Sequence, residues 1–177
     1  TPSNLARDAC PRRATPPSPI TNLTFGRSYV DWLAVIPAEI KAIAYGHGIY
    51  VAILDDSSST YCYSSDGITW HSGSFGSSGD RRCICYGNDR FICPRFNTNI
   101  VDWSYDGMQW NTATLSSARS WQACGYGNGY YLCASGSNTW AYSHDGKNWS
   151  DFNTGVASGA YKWTDICYGN GTWVATI

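Results

Sequence analysis

Apolar and polar residues alternate along this chain over short runs that stop at Gly, Asn and Asp, and the 3.6-residue spacing of an amphipathic helix is absent. In the middle of the chain, runs at Arg82–Tyr86, Arg90–Phe96, Ile100–Tyr105 and Met108–Thr114 predict four β-strands separated by turn signals. The Gly-Asn and Asn-Gly pairs near the first break suit a tight hairpin, whose central residues need positive φ. Asp106-Gly107 closes the third and fourth strands for the same reason.

The four-run pattern recurs. Tyr45-Gly46-His47-Gly48-Ile49-Tyr50, Tyr86-Gly87-Asn88-Asp89-Arg90-Phe91, Tyr126-Gly127-Asn128-Gly129-Tyr130-Tyr131 and Tyr168-Gly169-Asn170-Gly171-Thr172-Trp173 start at intervals of 41, 40 and 42 residues. A second marker, Ser64-Ser65-Asp66-Gly67-Ile68-Thr69-Trp70, returns as Ser104-Tyr105-Asp106-Gly107-Met108-Gln109-Trp110 and Ser143-His144-Asp145-Gly146-Lys147-Asn148-Trp149. Its tryptophans are 40 and 39 residues apart. Four short antiparallel strands in a repeat of about 40 residues are the signature of a β-propeller blade. The expected fold is therefore all-β, with about three complete blades and strands at both ends: units 40–79, 80–119 and 120–161, and a partial unit 162–177. Counting back from Trp70 lands on Trp32, so residues 28–36 read as a strand that closes the ring. The sum falls short of a standard ring. Either the chain continues past Ile177 or several chains share one ring.

Composition narrows the partners. Lys and Arg number 12 against 13 Asp and Glu, a formal net charge of −1, so the basic excess that nucleic acid or an anionic membrane calls for is missing. No apolar run reaches the roughly 18 residues of a membrane-spanning helix. Charged residues are only 14% and aromatic ones 15%, which with 18 Gly agrees with strands and turns. Residues 1–27 differ: they hold five of the seven prolines (Pro2, Pro11, Pro16, Pro17 and Pro19) together with Arg7, Arg12 and Arg13. Such a segment reads as an extended arm or linker, either a tether to partner subunits or a passive tail. A start at Thr1 without Met suggests a processed chain or a piece of a longer one.

Together the two markers resemble the sialidase-like propeller repeats of phage tail and secreted bacterial proteins. Ser-x-Asp-Gly-x-x-Trp is similar to the Asp-box turn of sialidases, with one residue fewer between Asp and Gly, and the resemblance spans about residues 28–177. In such turns Asp66, Asp106 and Asp145 accept backbone N–H groups, while Gly67, Gly107 and Gly146 supply the left-handed residue. Trp70, Trp110 and Trp149 then insert between neighbouring blades. The resemblance to sialidases would also imply a tyrosine–glutamate pair and an arginine triad that reads the substrate carboxylate. This chain has one glutamate, Glu39, and Arg81, Arg82, Arg90, Arg95 and Arg119 crowd one unit instead of ringing an axis. His47, His71 and His144 fall at unrelated repeat positions, so neither a metal triad nor a Ser-His-Asp set is legible. The expectation is a protein without enzymatic activity, metal or cofactor.

The cysteines follow the repeat. Cys93 and Cys133 take the slot of Ala52 and Ala175, Cys85 and Cys167 that of Ala44 and Gly125, and Cys83 that of Ala42 and Ala123. They read as small buried hydrophobes. The even count of eight leaves disulfides open, and Cys10 in the arm is the one placed to pair with another chain.

Positions shared by every unit are scaffold, so Tyr50, Phe91, Tyr131 and Trp173, and likewise Tyr63, Trp103 and Tyr142, are expected in the core. Ligand contacts are sought where one unit departs from the others: Trp140 with Asn138 in its loop, Tyr130, Tyr161, and the Arg81/Arg82 pair. Aromatic faces flanked by Asn and Ser suit sugars, stacking on C–H surfaces while amides meet hydroxyls. The alternative for Trp140 is packing on a neighbouring blade or subunit. The resemblance implies a virion protein, a phage tail or fibre component, virion-borne or otherwise extracellular. Residues 1–27 would anchor it to other subunits, and its blades would meet a host-surface glycan, other subunits or copies of itself. A fragment of a secreted sialidase-like enzyme and a purely structural decoration module are the other two readings.

Overall fold

Each Tyr-Gly marker folds into a two-residue hairpin turn with both central residues left-handed. The φ values are 50° and 80° at His47 and Gly48, 42° and 57° at Asn88 and Asp89, 50° and 79° at Asn128 and Gly129, and 48° and 79° at Asn170 and Gly171. Turns of this hand match the twist of the flanking strands, which is why Asn, Asp and Gly occupy them. The structure, a computed structural model, describes residues 39–55, 57–156 and 162–177. The expectations for the 1–27 arm, the 28–36 strand, Cys10 and Tyr161 lie outside the described residues.

Three four-stranded antiparallel sheets follow one another in chain order. The first comprises β1 (Ile40–Gly46), β2 (Ile49–Leu54), β3 (Thr60–Ser64) and β4 (His71–Ser74), and the second β5 (Cys85–Gly87), β6 (Arg90–Pro94), β7 (Thr98–Ser104) and β8 (Asn111–Arg119). The third comprises β9 (Trp121–Gly127), β10 (Tyr130–Ser135), β11 (Thr139–Ser143) and β12 (Ser150–Asn153); β13 (Asp165–Gly169) and β14 (Thr172–Thr176) form a last pair. Strands β1, β5, β9 and β13 touch in succession, so they are the inner strands of consecutive blades.

The four strands of the second unit lie where the sequence places them but start or stop one to five residues from the expected ends, and two of those shifts have a visible cause. Its first strand starts at Cys85, not Arg82: Arg81 makes a lone bridge to Arg95, and ladder pairing resumes only at Cys85, opposite Ile92. Its last strand starts at Asn111, not Met108. Asp106 Oδ1 accepts the N–H groups of Met108 at 2.9 Å and Gln109 at 2.8 Å, which holds those residues in the turn.

The core lies between blades rather than within them. Val51 and Ile53 of the first blade pack against Ile84 and Phe91 of the second; Ile92 and Val101 of the second pack against Trp121 and Tyr131 of the third. Phe91 and Tyr131 are fully buried, and complete burial of Phe91 contributes on the order of 1.5–3 kcal/mol. Tyr50, Tyr63, Trp103, Tyr142 and Trp173 are half-buried instead. Trp110 does insert between blades, with its ring 4.6 Å from Phe75 and 5.7 Å from Tyr61 of the first. Inner strands approach so closely that a Cβ at Gly46, Gly87 or Gly127 would stand 2.1, 2.0 or 2.2 Å from the side chain of Tyr86, Tyr126 or Tyr168.

Cys62, Cys83, Cys85, Cys93, Cys124 and Cys133 are buried free thiols, and Cys167 is free and exposed. Burial pushes the Cys93, Cys124 and Cys133 thiols well above the ordinary range. They stay protonated and act as small core hydrophobes, not as nucleophiles.

Candidate functional site

An antiparallel meander sorts its loops by end. The Tyr-Gly hairpins and the Ser-x-Asp-Gly turns share one end of the blades, and the remaining loops and blade-to-blade connections share the other. The sequence candidates are thereby separated: Tyr130 sits at the hairpin end, and Asn138, Arg81 and Arg82 at the connection end.

Two of those candidates are not available to a ligand. Trp140 is 6% exposed, with its ring T-shaped against Trp163 at 4.9 Å and Phe152 at 6.2 Å. Alternation along β11 turns it to the face covered by the last unit, so it is an inter-blade side chain and not a stacking platform. Arg81 is 1% exposed. Its Nε donates to Asp102 Oδ2 at 2.7 Å, Nη1 to the carbonyls of Ser58 (3.2 Å) and Gly79 (3.1 Å), and Nη2 to that of Ser77 (3.0 Å). Arg95 completes the group, with Nε 2.8 Å from Asp102 Oδ2 and Nη2 2.6 Å from Oδ1.

Strand register explains this triad. Arg81 faces Arg95 as Ile40 faces Leu54, and Asp102 pairs with Cys93 as Cys62 pairs with Ala52. An apolar trio of the first blade has become a buried ion triad in the second. The signal was present in the repeat alignment, as three charged residues at three apolar slots of one unit.

At the connection end, residues in or just before the first halves of the four inner strands line a cleft of about 310 Å³. Lys41, Arg82, Thr164 and Asp165 form its polar side; Ile43, Ile84 and Ala123 are among its apolar walls. Its cations are already paired. Lys41 Nζ lies 2.5 Å from Asp55 Oδ1 and 3.5 Å from Asp80 Oδ1, and Arg82 Nη2 lies 2.8 Å from Asp80 Oδ2. The Arg82 guanidinium also stacks 3.3 Å over the Phe96 ring. Asn138 donates nothing into this cleft; its carbonyl accepts from Thr154 N at 2.8 Å and closes its own loop.

The hairpin end is different. Arg90 Nη2 donates to the Tyr105 hydroxyl at 2.8 Å, and Nη1 donates to the Asp145 carbonyl. Lys147 Nζ sits 4.3 Å from the Trp103 ring centroid and 5.7 Å from that of Tyr105. Hydrogen bonding from Arg90 pulls the Tyr105 hydroxyl below its ordinary range, with the charges of Arg90 and Lys147 acting the same way. Tyr105 remains 46% exposed. Among the described residues no carboxylate lies within ion-pair distance of Arg90 or Lys147. The group bridges the second and third blades and uses positions that vary between units, since Ile49 and Tyr130 stand at the Arg90 slot, and Ser65 and His144 at the Tyr105 slot. Next to it, Tyr130 and His144 stack at 3.9 Å.

The Asp turns frame this end. Asp66 Oδ1 accepts from Thr69 N at 2.7 Å, Ile68 N at 2.8 Å and Ser64 Oγ at 2.9 Å. Those bonds, the Thr69 one foremost, lower its pKa to about 2. A folded-state pKa below the unfolded value near 3.9 stabilises the fold above that value, and the contribution drains away as pH falls through about 2. Asp66→Asn should therefore lower the urea midpoint at neutral pH, and the gap to wild type should close as the titration approaches pH 2. A gap that persists unchanged in acid would refute the assignment.

No family model and no curated protein matches the chain. Solved structures do resemble it. The computationally designed Ika4 protein shares 13% identity at a TM-score of 0.57, over 79% of this chain and 86% of that one. A streptogramin B lyase shares 11% at 0.65, over 77% of this chain and 47% of that one, so the chain spans less than half the lyase's length. The glutaminyl cyclase of Myxococcus xanthus shares 14% at 0.53, over 79% and 62%. The expectation of a protein without enzymatic activity is corrected by these neighbours: chains with such blades include a lyase and a cyclase, so the blades are no argument against catalysis. At these identities the likeness shows the fold alone: the chain is an all-β array of β-propeller blades.

Proposed function

We propose that this chain is a recognition module of a virion, a phage tail or fibre component whose blades meet an acidic host-surface glycan at the hairpin end. The observation that carries the reading is the Arg90–Tyr105–Lys147 group. Two cations with no carboxylate partner among the described residues flank an exposed ring, at positions that vary between units while the Asp-Gly turns do not. A sugar ring stacks on an aromatic face, and a sugar carboxylate or sulfate takes up the guanidinium and ammonium donors. Residues 1–27 serve as the anchor to neighbouring subunits, and the module acts on the virion or otherwise outside the cell.

Binding of the intact protein to a panel of neutral and acidic glycans, and to whole host cells, tests this. Lys147→Ala should weaken binding of acidic glycans about 10-fold, the value of one charge-assisted contact, and leave neutral ones unaffected. Equal affinity for acidic and neutral glycans, or an unchanged Lys147→Ala variant, would refute it.

A further inference from the structure

One turn of the third blade, from His144 to Lys147 after β11, touches two aromatic groups. Its Lys147 sits over the Trp103 and Tyr105 rings of the second blade. Its His144 lies against its own blade, where the imidazole stacks on Tyr130, and Tyr130 is backed by Tyr142 at 6.0 Å. Arg90 ties the two sides together, since it donates to the Tyr105 hydroxyl and to the Asp145 carbonyl. Asn88 Nδ2 adds a bond to the His144 carbonyl at 3.4 Å. The two aromatic groups are thus held side by side on neighbouring blades, which spares a ligand the cost of ordering them.

The two sides offer opposite chemistry. On the second blade the groups presented are donors: the Lys147 ammonium, the Arg90 guanidinium, and the Tyr105 hydroxyl, which accepts from Arg90 and keeps its own proton to give. On the third, His144 Nδ1 lies 3.1 Å from the Gly129 carbonyl oxygen. A carbonyl can only accept, so Nδ1 holds the ring proton and Nε2 of the neutral imidazole carries a lone pair. His144 and Asn88 are both exposed. Neither His144 Nε2 nor the neighbouring acceptor Asn88 Oδ1 has a hydrogen-bond partner among the described residues. The boundary between the first and second blades lacks this arrangement, for the slots of Arg90 and Lys147 hold Ile49 and Met108 there.

We infer that this end binds an acidic sugar joined to a neutral one, laid across the Asp145 turn with the anion on Lys147 and Tyr105 and the neutral ring against His144. The inference rests on the reading of this end as an acidic-glycan site and adds its second position. A neutral sugar fits that position because its hydroxyls donate to His144 Nε2 and Asn88 Oδ1. A second anion does not, because its oxygens would meet two lone pairs and no donor. His144 and Asn88 therefore set which neighbour of the acidic sugar is accepted, while Lys147 sets that an acidic sugar is bound at all.

Chemical-shift titration of the isotope-labelled full chain at mildly alkaline pH tests this. The probes are a uronic acid, disaccharides of that uronic acid with a neutral hexose in both linkage orders, and a disaccharide of two uronic acids. One of the mixed disaccharides should bind about 10-fold more tightly than the uronic acid alone, the worth of one or two added hydrogen bonds, and the diuronic probe should gain nothing comparable. His144→Phe keeps a ring on Tyr130 but has no lone pair, and should bring the ratio of mixed disaccharide to uronic acid close to one. His144→Gln, which regains an acceptor, should recover part of that ratio. A wild-type ratio near one, a diuronic probe that gains as much as the mixed one, or a His144→Phe variant that keeps the gain would overturn the two-sugar inference and leave the acidic-glycan reading standing. Absence of binding by every uronic probe would remove that reading, and this inference with it.

Discussion

Asp102→Ala is expected to remove about 3–5 kcal/mol of folding stability, because it strands the Arg81 and Arg95 guanidinium groups in the second blade without their shared carboxylate. Asp102 is fully buried, and the two arginines are 1% and 6% exposed, so water cannot replace the lost acceptor without opening the blade. The converse experiment separates the cost of a stranded charge from the worth of the triad. In the first blade the same slots hold Ile40, Leu54 and Cys62, which pack as an apolar cluster. Combining Arg81→Ile, Arg95→Leu and Asp102→Cys should therefore recover most of the loss, since buried ion groups replaced whole by apolar ones are often neutral. Recovery stays incomplete because the carbonyls of Ser58, Ser77 and Gly79 lose their donors. Urea unfolding of the three proteins reads both effects. A single variant with the wild-type midpoint would sink the account. A triple variant weaker than the single one would mean that the triad is a net contributor.

Gly87→Ala should cost about 2–3 kcal/mol or more, through overpacking at the boundary of the second and third blades. The added methyl would stand 2.0 Å from Tyr126 Cγ, at the stiff base of the ring, so relief requires the blades to part. Ordinarily a strand glycine replaced by alanine gains about 0.5–1 kcal/mol. Gly169→Ala is the matched control, at the same repeat position with open space around it, and should be neutral or gain up to about 1 kcal/mol. Comparison of their urea midpoints isolates the tyrosine-on-glycine contact. Equal effects from the two substitutions would show that close approach is not what the glycine serves.

Which residues turn the chain was legible from residue types alone. Asn-Gly and Asp-Gly need no distant partner to specify their backbone, so each hairpin and each Asp turn lies where the repeat marker puts it. Strand ends were less legible, because Asp106 draws Met108 and Gln109 into its turn through bonds that composition does not reveal. The binding candidates fared differently. Trp140 and Arg81 depart from the repeat, which by the sequence alone points to the surface, yet both fill the interior. One lies against Trp163, and the other is held by Asp102 from a strand 21 residues away. Arg90, Tyr105 and Lys147 gather only because two blades meet, and no spacing along the chain announces it.

By itself, then, the sequence determined the local geometry of this protein: a 40-residue period, four strands to a unit, and turns of fixed hand, each set by the φ and hydrogen-bonding preferences of a few neighbouring residues. Only the tertiary structure decided what the departures from the repeat are for. Burial depends on the face a strand presents and on the unit that covers it. That is why Ile84, Cys124 and Ile166 are core while Ile43, at the equivalent position of the first unit, is 45% exposed.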